Sequence, residues 1–287
     1  MPTLFCFGLG YSAQHYVREF GARFDRVVGT VRTPDKAATL RDVEALVFDG
    51  ATASIEVTAA VGKADALLVS IAPDAHGDPA LKFFADVIGG SNIGAIVYLS
   101  TIGVYGDHQG RWVDEETPPK PINARSTERL ATEAAWQALG RRSGKAVAIL
   151  RLSGIYGPGQ SALNQLVNGT AKRIVKPGQV FNRIHVADIA QAIDAAFAKR
   201  ADGVFNISDD AATSAPEVIA YAAELLGVEP PPEIAYDVAE KTMTPMAKSF
   251  YGEVKRVRNA KLKSELGVTL RYPTYREGLK AIHAKSV

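Results

Sequence analysis

Up to position 152, apolar residues come in short, continuous, β-branched runs separated by amphipathic stretches. Residues 3–7, 26–31, 45–48, 65–70, 95–100 and 146–152 read as six strands. Helices are expected near 12–20, from Pro34, from Asp78-Pro79 to Ile88, and over 124–140 with Gly140 as the stop. Strands that are apolar throughout, and not alternating, imply a parallel sheet covered on both faces. With helices between them, they predict a doubly wound α/β fold, a Rossmann arrangement with right-handed crossovers.

Beyond Leu152 the rhythm changes. SGIYGPGQ reads as a loop followed by a short helix, and FNRIHVADIAQAIDAAF as a loop feeding a buried helix. A further strand is expected at 204–207. Ser214-Ala-Pro-Glu opens a helix that Gly227 stops, and Pro230–Pro232 is a rigid spacer. The remainder from Lys241 reads as a small α/β lobe. Residues 1–160 thus form a nucleotide-binding domain to which part of 180–210 returns, and 161–287 form mainly a substrate lobe.

The 287 residues are 47% hydrophobic and 22% charged, ordinary values for a globular protein. No run approaches the ~20 apolar residues of a membrane span, and the N-terminus lacks the basic start of a signal peptide. Cys6 is the single cysteine, and the five histidines show no metal-ligand spacing. A cytoplasmic protein without a metal or a membrane is the simplest reading. The net charge of +2 hides an asymmetry, with −5 over the first 238 residues and +7 over the last 49. That basic tail suits a phosphorylated ligand or a solvated helix face better than nucleic acid, because no DNA- or RNA-binding signature accompanies it.

GLGYSA, residues 8–13, has the G-x-G-x-x-G/A form, follows a strand and opens a helix. Gly8 serves the tight turn, Gly10 the approach of a pyrophosphate, and Ala13 the close helix–strand packing. Tyr11 and Ser12 complete the phosphate-binding turn at the helix N-terminus. After the second strand the chain reads GTVRT, with Arg32 where an acidic residue would favour NAD. A guanidinium there suits the 2′-phosphate of NADP, so NADP is preferred while NAD stays open. Asp49 after the third strand is placed for an adenine amino group. Ser70 and Ala72 after the fourth line the pyrophosphate and nicotinamide side.

Together with YLSTIGVYGD (98–107), LRLSGIYGPG (150–159), RIHVADIA (183–190), FNIS (205–208) and VRNAKLKSELG (257–267), these segments resemble the extended and atypical short-chain dehydrogenase/reductases. That is the family of NAD-dependent epimerases and dehydratases acting on nucleotide sugars, and the resemblance covers nearly the whole chain. It implies that Thr101 supports a substrate oxygen, with Ser100 beside it. It also implies a proton-donating tyrosine and a ribose-binding lysine in a YxxxK motif. Here those positions hold Arg125 and Arg129. Arginine keeps its proton and cannot act as a general acid/base.

Arg129 is left as a donor to ribose hydroxyls and Arg125 as a binder of an anionic substrate. The alternative is that both pair with Glu128, Glu133 or solvent. Tyr105 is a candidate replacement acid, although its position is usually structural in the family. His185 and Asp188 read as packing residues, Tyr156 as shaping the loop between lobes, and Trp112 as a lid or packing residue. The expected protein is an NAD(P)-dependent epimerase/dehydratase-like oxidoreductase acting on an anionic small molecule such as a nucleotide sugar. The alternative is a non-catalytic NADP-binding redox sensor. The resemblance also points to a homodimer through the helices carrying 78–90 and 124–140, the oligomeric state staying open.

Overall fold

The computed structural model describes residues 2–41 and 43–285. Seven strands form one parallel sheet: β1 (Thr3–Phe7), β2 (Arg26–Val31), β3 (Glu44–Val47), β4 (Ala66–Val69), β5 (Ala95–Thr101), β7 (Ala146–Leu152) and β11 (Gly203–Ile207). Their order is β11-β7-β5-β4-β1-β2-β3, so the winding direction reverses at β1, whose neighbours are β4 and β2. Ligands of open α/β sheets bind at such a switch point, beyond the carboxyl ends of the strands. The six expected strands all lie in this sheet, each within one residue of its expected limits.

Helices α1 (Tyr11–Phe20), α2 (Pro34–Ala38), α3 (Ile55–Gly62), α4 (Pro79–Gly90) and α5 (Ala124–Ser143) connect these strands, and α7 (Val186–Lys199) leads into β11. One core joins the sheet to α1 and α7 through Leu4, Leu68, Leu150, Tyr16 and Ile193. The other joins it to α3, α4 and α5 through Phe5, Leu67, Val61, Phe84 and Trp136. Burial on both faces is what the continuous apolar runs required. Caps fix the starts: Asp78 accepts from the Ala80 and Leu81 amides, and Thr33 from the Lys36 amide.

Three expectations change. The helix over 124–140 runs through Gly140 to Ser143 and ends at Gly144, which adopts the left-handed conformation at φ +65°. Gly140 is needed because a Cβ there would lie 2.5 Å from Val147 Cγ2. The SGIYGPGQ loop contains a strand, β8 (Gly154–Tyr156), paired in parallel with β10 (Arg183–His185). Other short pairs are β6 (Trp112–Val113) with β13 (Arg256–Val257), and β9 (Arg173–Val175) with β12 (Glu233–Ala235).

The chain beyond Lys241 does not build a lobe of its own. It contains α10 (Pro245–Tyr251), α11 (Ala260–Ser264) and α12 (Tyr275–Ala284). Leu262, Leu266, Val268 and Leu270 return to the core shared with α1 and α7. The helices α6 (Ala162–Val167), α8 (Ala215–Leu226) and α12 share a small core of Tyr156, Leu163, Val218 and Leu279. The short α9 (Tyr236–Ala239) follows β12. Among the described residues, no helix is long and apolar enough to cross a membrane.

Candidate functional site

Two clefts open at the carboxyl ends of the strands and share Ala72. The smaller, about 540 Å³, lies across the first four β–α turns and is walled by Gly8, Gly10, Arg32, Asp49 and Ser70. The turn after β1 is latched from both sides. Gly8 N donates to Thr30 Oγ1 at 2.9 Å, and Ser70 Oγ donates to Gly8 O at 2.6 Å. Gly8 sits at φ +89°, and a Cβ there would come within 2.7 Å of Ile71 Cγ2. Only glycine fits.

Gly10 is different. Its backbone, at φ −81° and ψ −170°, suits any residue, and a Cβ would meet no atom of the chain within 4 Å. Neither conformation nor packing demands glycine here. The space that a Cβ would fill is on the cleft side, at the N-terminus of α1, whose first-turn amides have no side-chain cap. That is the provision a pyrophosphate needs, so the residues present fit a dinucleotide.

Ala13 is fully buried against the sheet core. Tyr11 and Ser12 are not on the cleft wall. Tyr11 Oη donates to Pro158 O at 2.9 Å and so ties α1 to the YGPG loop, while Ser12 is buried. Arg32 reaches the wall, exposed, and so does Lys36, a residue the sequence reading missed. The signal for Lys36 was present: Thr33 and Pro34 start a helix whose first turn brings it one turn beyond Arg32. Asp49 Oδ1 accepts from Ala51 N at 2.8 Å.

The larger cleft, about 960 Å³, continues past Ala72 between the sheet and α6, α8, α10 and α12. Thr101, at the end of β5, lies on its wall with Oγ1 accepting from Gly103 N at 3.1 Å. Arg125 and Arg129 line it too, one turn apart on α5. Arg129 is anchored: Nη1 donates to Leu99 O at 2.9 Å and Tyr98 Oη at 3.1 Å. Exposed Arg125 lies 5.6 Å from the centre of the Phe250 ring. Neither pairs with Glu133, whose buried carboxylate receives Arg151 Nη2 at 2.7 Å and the Ser100 hydroxyl.

Tyr105 is not at the cleft. It is fully buried, its hydroxyl donates to Asn206 Oδ1 at 2.8 Å, and the Arg151 guanidinium lies 4.8 Å from its ring centre. Burial pushes its phenol up, away from the range of a working acid. The other tyrosines of the larger cleft turn their hydroxyls elsewhere, Tyr156 to Thr274 O and Tyr275 to Glu217, which helps hold the Tyr275 phenol at about 12 after desolvation has raised it. His185 caps α7 by accepting from Ala187 N, and burial lowers it to about 4. Asp188 accepts from the Arg271 and Tyr272 amides, and Trp112 lies away from both clefts.

Sequence reading also missed Glu253 and Lys255. No local motif marks them, and the chain brings them to the cleft from 130 residues beyond α5's start. Lys255 Nζ donates to Gly106 O at 2.9 Å and to Glu253 Oε2. Asn123, the cap of α5, ties the two parts together: its Oδ1 accepts from Ser126 N at 2.9 Å, and its Nδ2 donates to Glu253 Oε1 at 3.4 Å. Among the described wall residues Glu253 is the one carboxylate, against Arg125, Arg129, Arg183 and Lys255.

Residues 84–208 match the model of the NAD dependent epimerase/dehydratase family. A conserved protein of unknown function from Silicibacter pomeroyi DSS superposes with a TM-score of 0.88 at 43% identity, over 100% of this chain and 99% of that one. Protein YeeZ of Escherichia coli K12 is 28% identical over 239 residues, 78% of this chain and 84% of its own. MoeE5 in complex with UDP-glucuronic acid and NAD superposes with a TM-score of 0.77 at 21% identity, over 100% of both chains, a likeness of fold. The bare Gly10 at the switch point and Thr101 over the adjoining cleft stand on a Rossmann fold, and residues 84–208 of the chain resemble the NAD dependent epimerase/dehydratase family.

Proposed function

We propose that the protein is an NADP-dependent, epimerase/dehydratase-like oxidoreductase acting on a small anionic molecule, with nucleotide sugars as the class that its structural neighbours suggest. The observation that carries this reading is the meeting of the two clefts at Ala72, with Gly10 open to one and Thr101 to the other. Arg32 and Lys36 favour NADP over NAD, since two exposed cations on one wall suit a 2′-phosphate. Gly10, the first amides of α1 and Asp49 would hold the rest of the dinucleotide.

A nicotinamide bound there would supply hydride acceptance or donation. Thr101 Oγ1 accepts from the Gly103 amide, so its own proton is available to a substrate oxygen. Arg125 and Arg129 bind charge and exchange no proton. Glu253, steadied by Asn123 and Lys255, is the carboxylate left to receive one. A second reading, a redox sensor without turnover, draws on the replacement of the tyrosine–lysine pair by two arginines.

We place residues 161–287 mainly on the substrate side, and the protein in the cytoplasm as a homodimer through α4 and α5. Calorimetry with NADP and NAD tests the first step, and NADP should bind about tenfold tighter. Equal binding overturns the cofactor choice. Steady consumption of NADPH with any acid or sugar nucleotide supports the enzyme, and its absence across a broad panel supports the sensor.

A further inference from the structure

Positive charge is distributed unevenly in the larger cleft. Lys255 is neutralised by Glu253, and the Arg183 guanidinium is occupied by the carbonyls of Phe181, Thr213 and Ser214 at 3.0, 3.1 and 3.5 Å. The charge left for a ligand is on Arg125 and Arg129, at the first turns of α5. Arg129 commits Nη1 to the chain and keeps Nε and Nη2. The α6, α8 and α12 side of the cleft contributes neutral residues, among them Asn164, Gln165, Val218, Ile219 and Leu279.

Beside the arginines sits a second hydroxyl. Ser126 is 4% exposed and lines the cleft. A Cβ on Gly103 would lie 2.9 Å from Ser126 Oγ and 3.4 Å from Thr101 Oγ1, so the two hydroxyls converge over that glycine. Two guanidiniums one turn apart repel unless an anion lies between them.

We infer that the cleft takes a small carboxylic acid with an uncharged tail, its carboxylate held by Arg125 and Arg129. Its reacting oxygen then lies between Thr101 and Ser126. This rests on the oxidoreductase reading above and narrows its substrate. A nucleoside diphosphate brings two phosphates, for which only Arg125 and Arg129 are left uncommitted among the described wall residues, and desolvated charge without a partner is unfavourable. An acid with a polar, neutral tail matches both ends.

The test is calorimetry on protein first saturated with NADP, using acids against their neutral twins: glucuronate and glucose, gluconate and sorbitol, lactate and 1,2-propanediol, with UDP as the nucleotide probe. At least one acid should bind about tenfold or more tighter than its twin and tighter than UDP. The preference should shrink with salt and in Arg125→Gln. Ser126→Ala should weaken the acid without altering the salt dependence. Acids no tighter than their twins, UDP tighter than every acid, or no acid binding at all overturns the inference. Failure at the NADP step sinks the reading beneath it, whereas intact NADP binding without acid preference sinks this inference alone.

Discussion

The corner around Gly8 and Gly10 and the cleft around Arg125 are neighbours that share Ala72, yet they are built in opposite ways. The first is assembled from four consecutive β–α turns, and most of its wall residues lie within a few positions of a strand end. The second draws on α5, β5, β7, the 157–170 segment, α8 and the 249–255 stretch, separated by up to about half the chain. Backbone groups and glycines do the work in the first, and charged or hydroxylic side chains in the second. The lesson is that a site read by backbone geometry keeps its sequence signature, whereas a site read by side chains can change its chemistry on an unchanged frame. Arg125 and Arg129 stand where the resemblance implies a tyrosine and a lysine, one turn apart on α5.

The largest expected effect falls on the support beneath the side-chain site. Glu133→Ala leaves the Arg151 guanidinium buried and unpaired, and should cost about 3–5 kcal/mol in urea unfolding. A loss below about 1 kcal/mol would show that α5 is held by its apolar face alone.

Next comes Gly10→Val, which should weaken NADP about 10- to 100-fold by filling the pyrophosphate space while leaving the melting temperature unchanged, since the new side chain meets open space. A fall in stability with binding intact would make Gly10 a structural glycine and erase the contrast drawn above.

A third test uses pH. Burial raises the Asp209 carboxyl to about 8, and its Oδ2 has no partner. The folded state therefore holds a proton that the unfolded chain releases near its ordinary value, so stability falls as pH rises from about 4 through about 8. His185, lowered to about 4, acts oppositely: the unfolded chain takes its proton near 6.5, and stability falls as pH drops from there toward about 4. Between about 6.5 and 8 Asp209 contributes where His185 does not, and Asp209→Asn should recover about 1–3 kcal/mol at pH 8. A pH-independent gain would assign the effect to packing.

The smallest expected change, about tenfold, is the loss of NADP affinity in Arg32→Gln, with NAD unaffected. Adding Lys36→Gln should extend the loss if both cations hold the 2′-phosphate. A parallel loss of NAD affinity would mean that the pair acts on the dinucleotide's overall charge.

Continuous apolar runs, helix caps and the 8–13 glycines determined the sheet, its parallel strands and the glycine turn at the switch point from sequence alone. These are local features: a strand's burial and a turn's φ are set by residues within a few positions, so their periodicity and residue types record them. Even Lys36 was recoverable from Thr33 and Pro34. The same reasoning placed Tyr11, Ser12 and Tyr105 at the site, and their side chains proved to be tied to Pro158, buried, and bonded to Asn206. Which way a side chain turns depends on partners far away in sequence, and those are set only when the chain closes. Glu253, Lys255 and Ser126 belong to that second kind. Asn123 alone, bonded to the start of α5 on one side and to residue 253 on the other, shows why tertiary structure decided them.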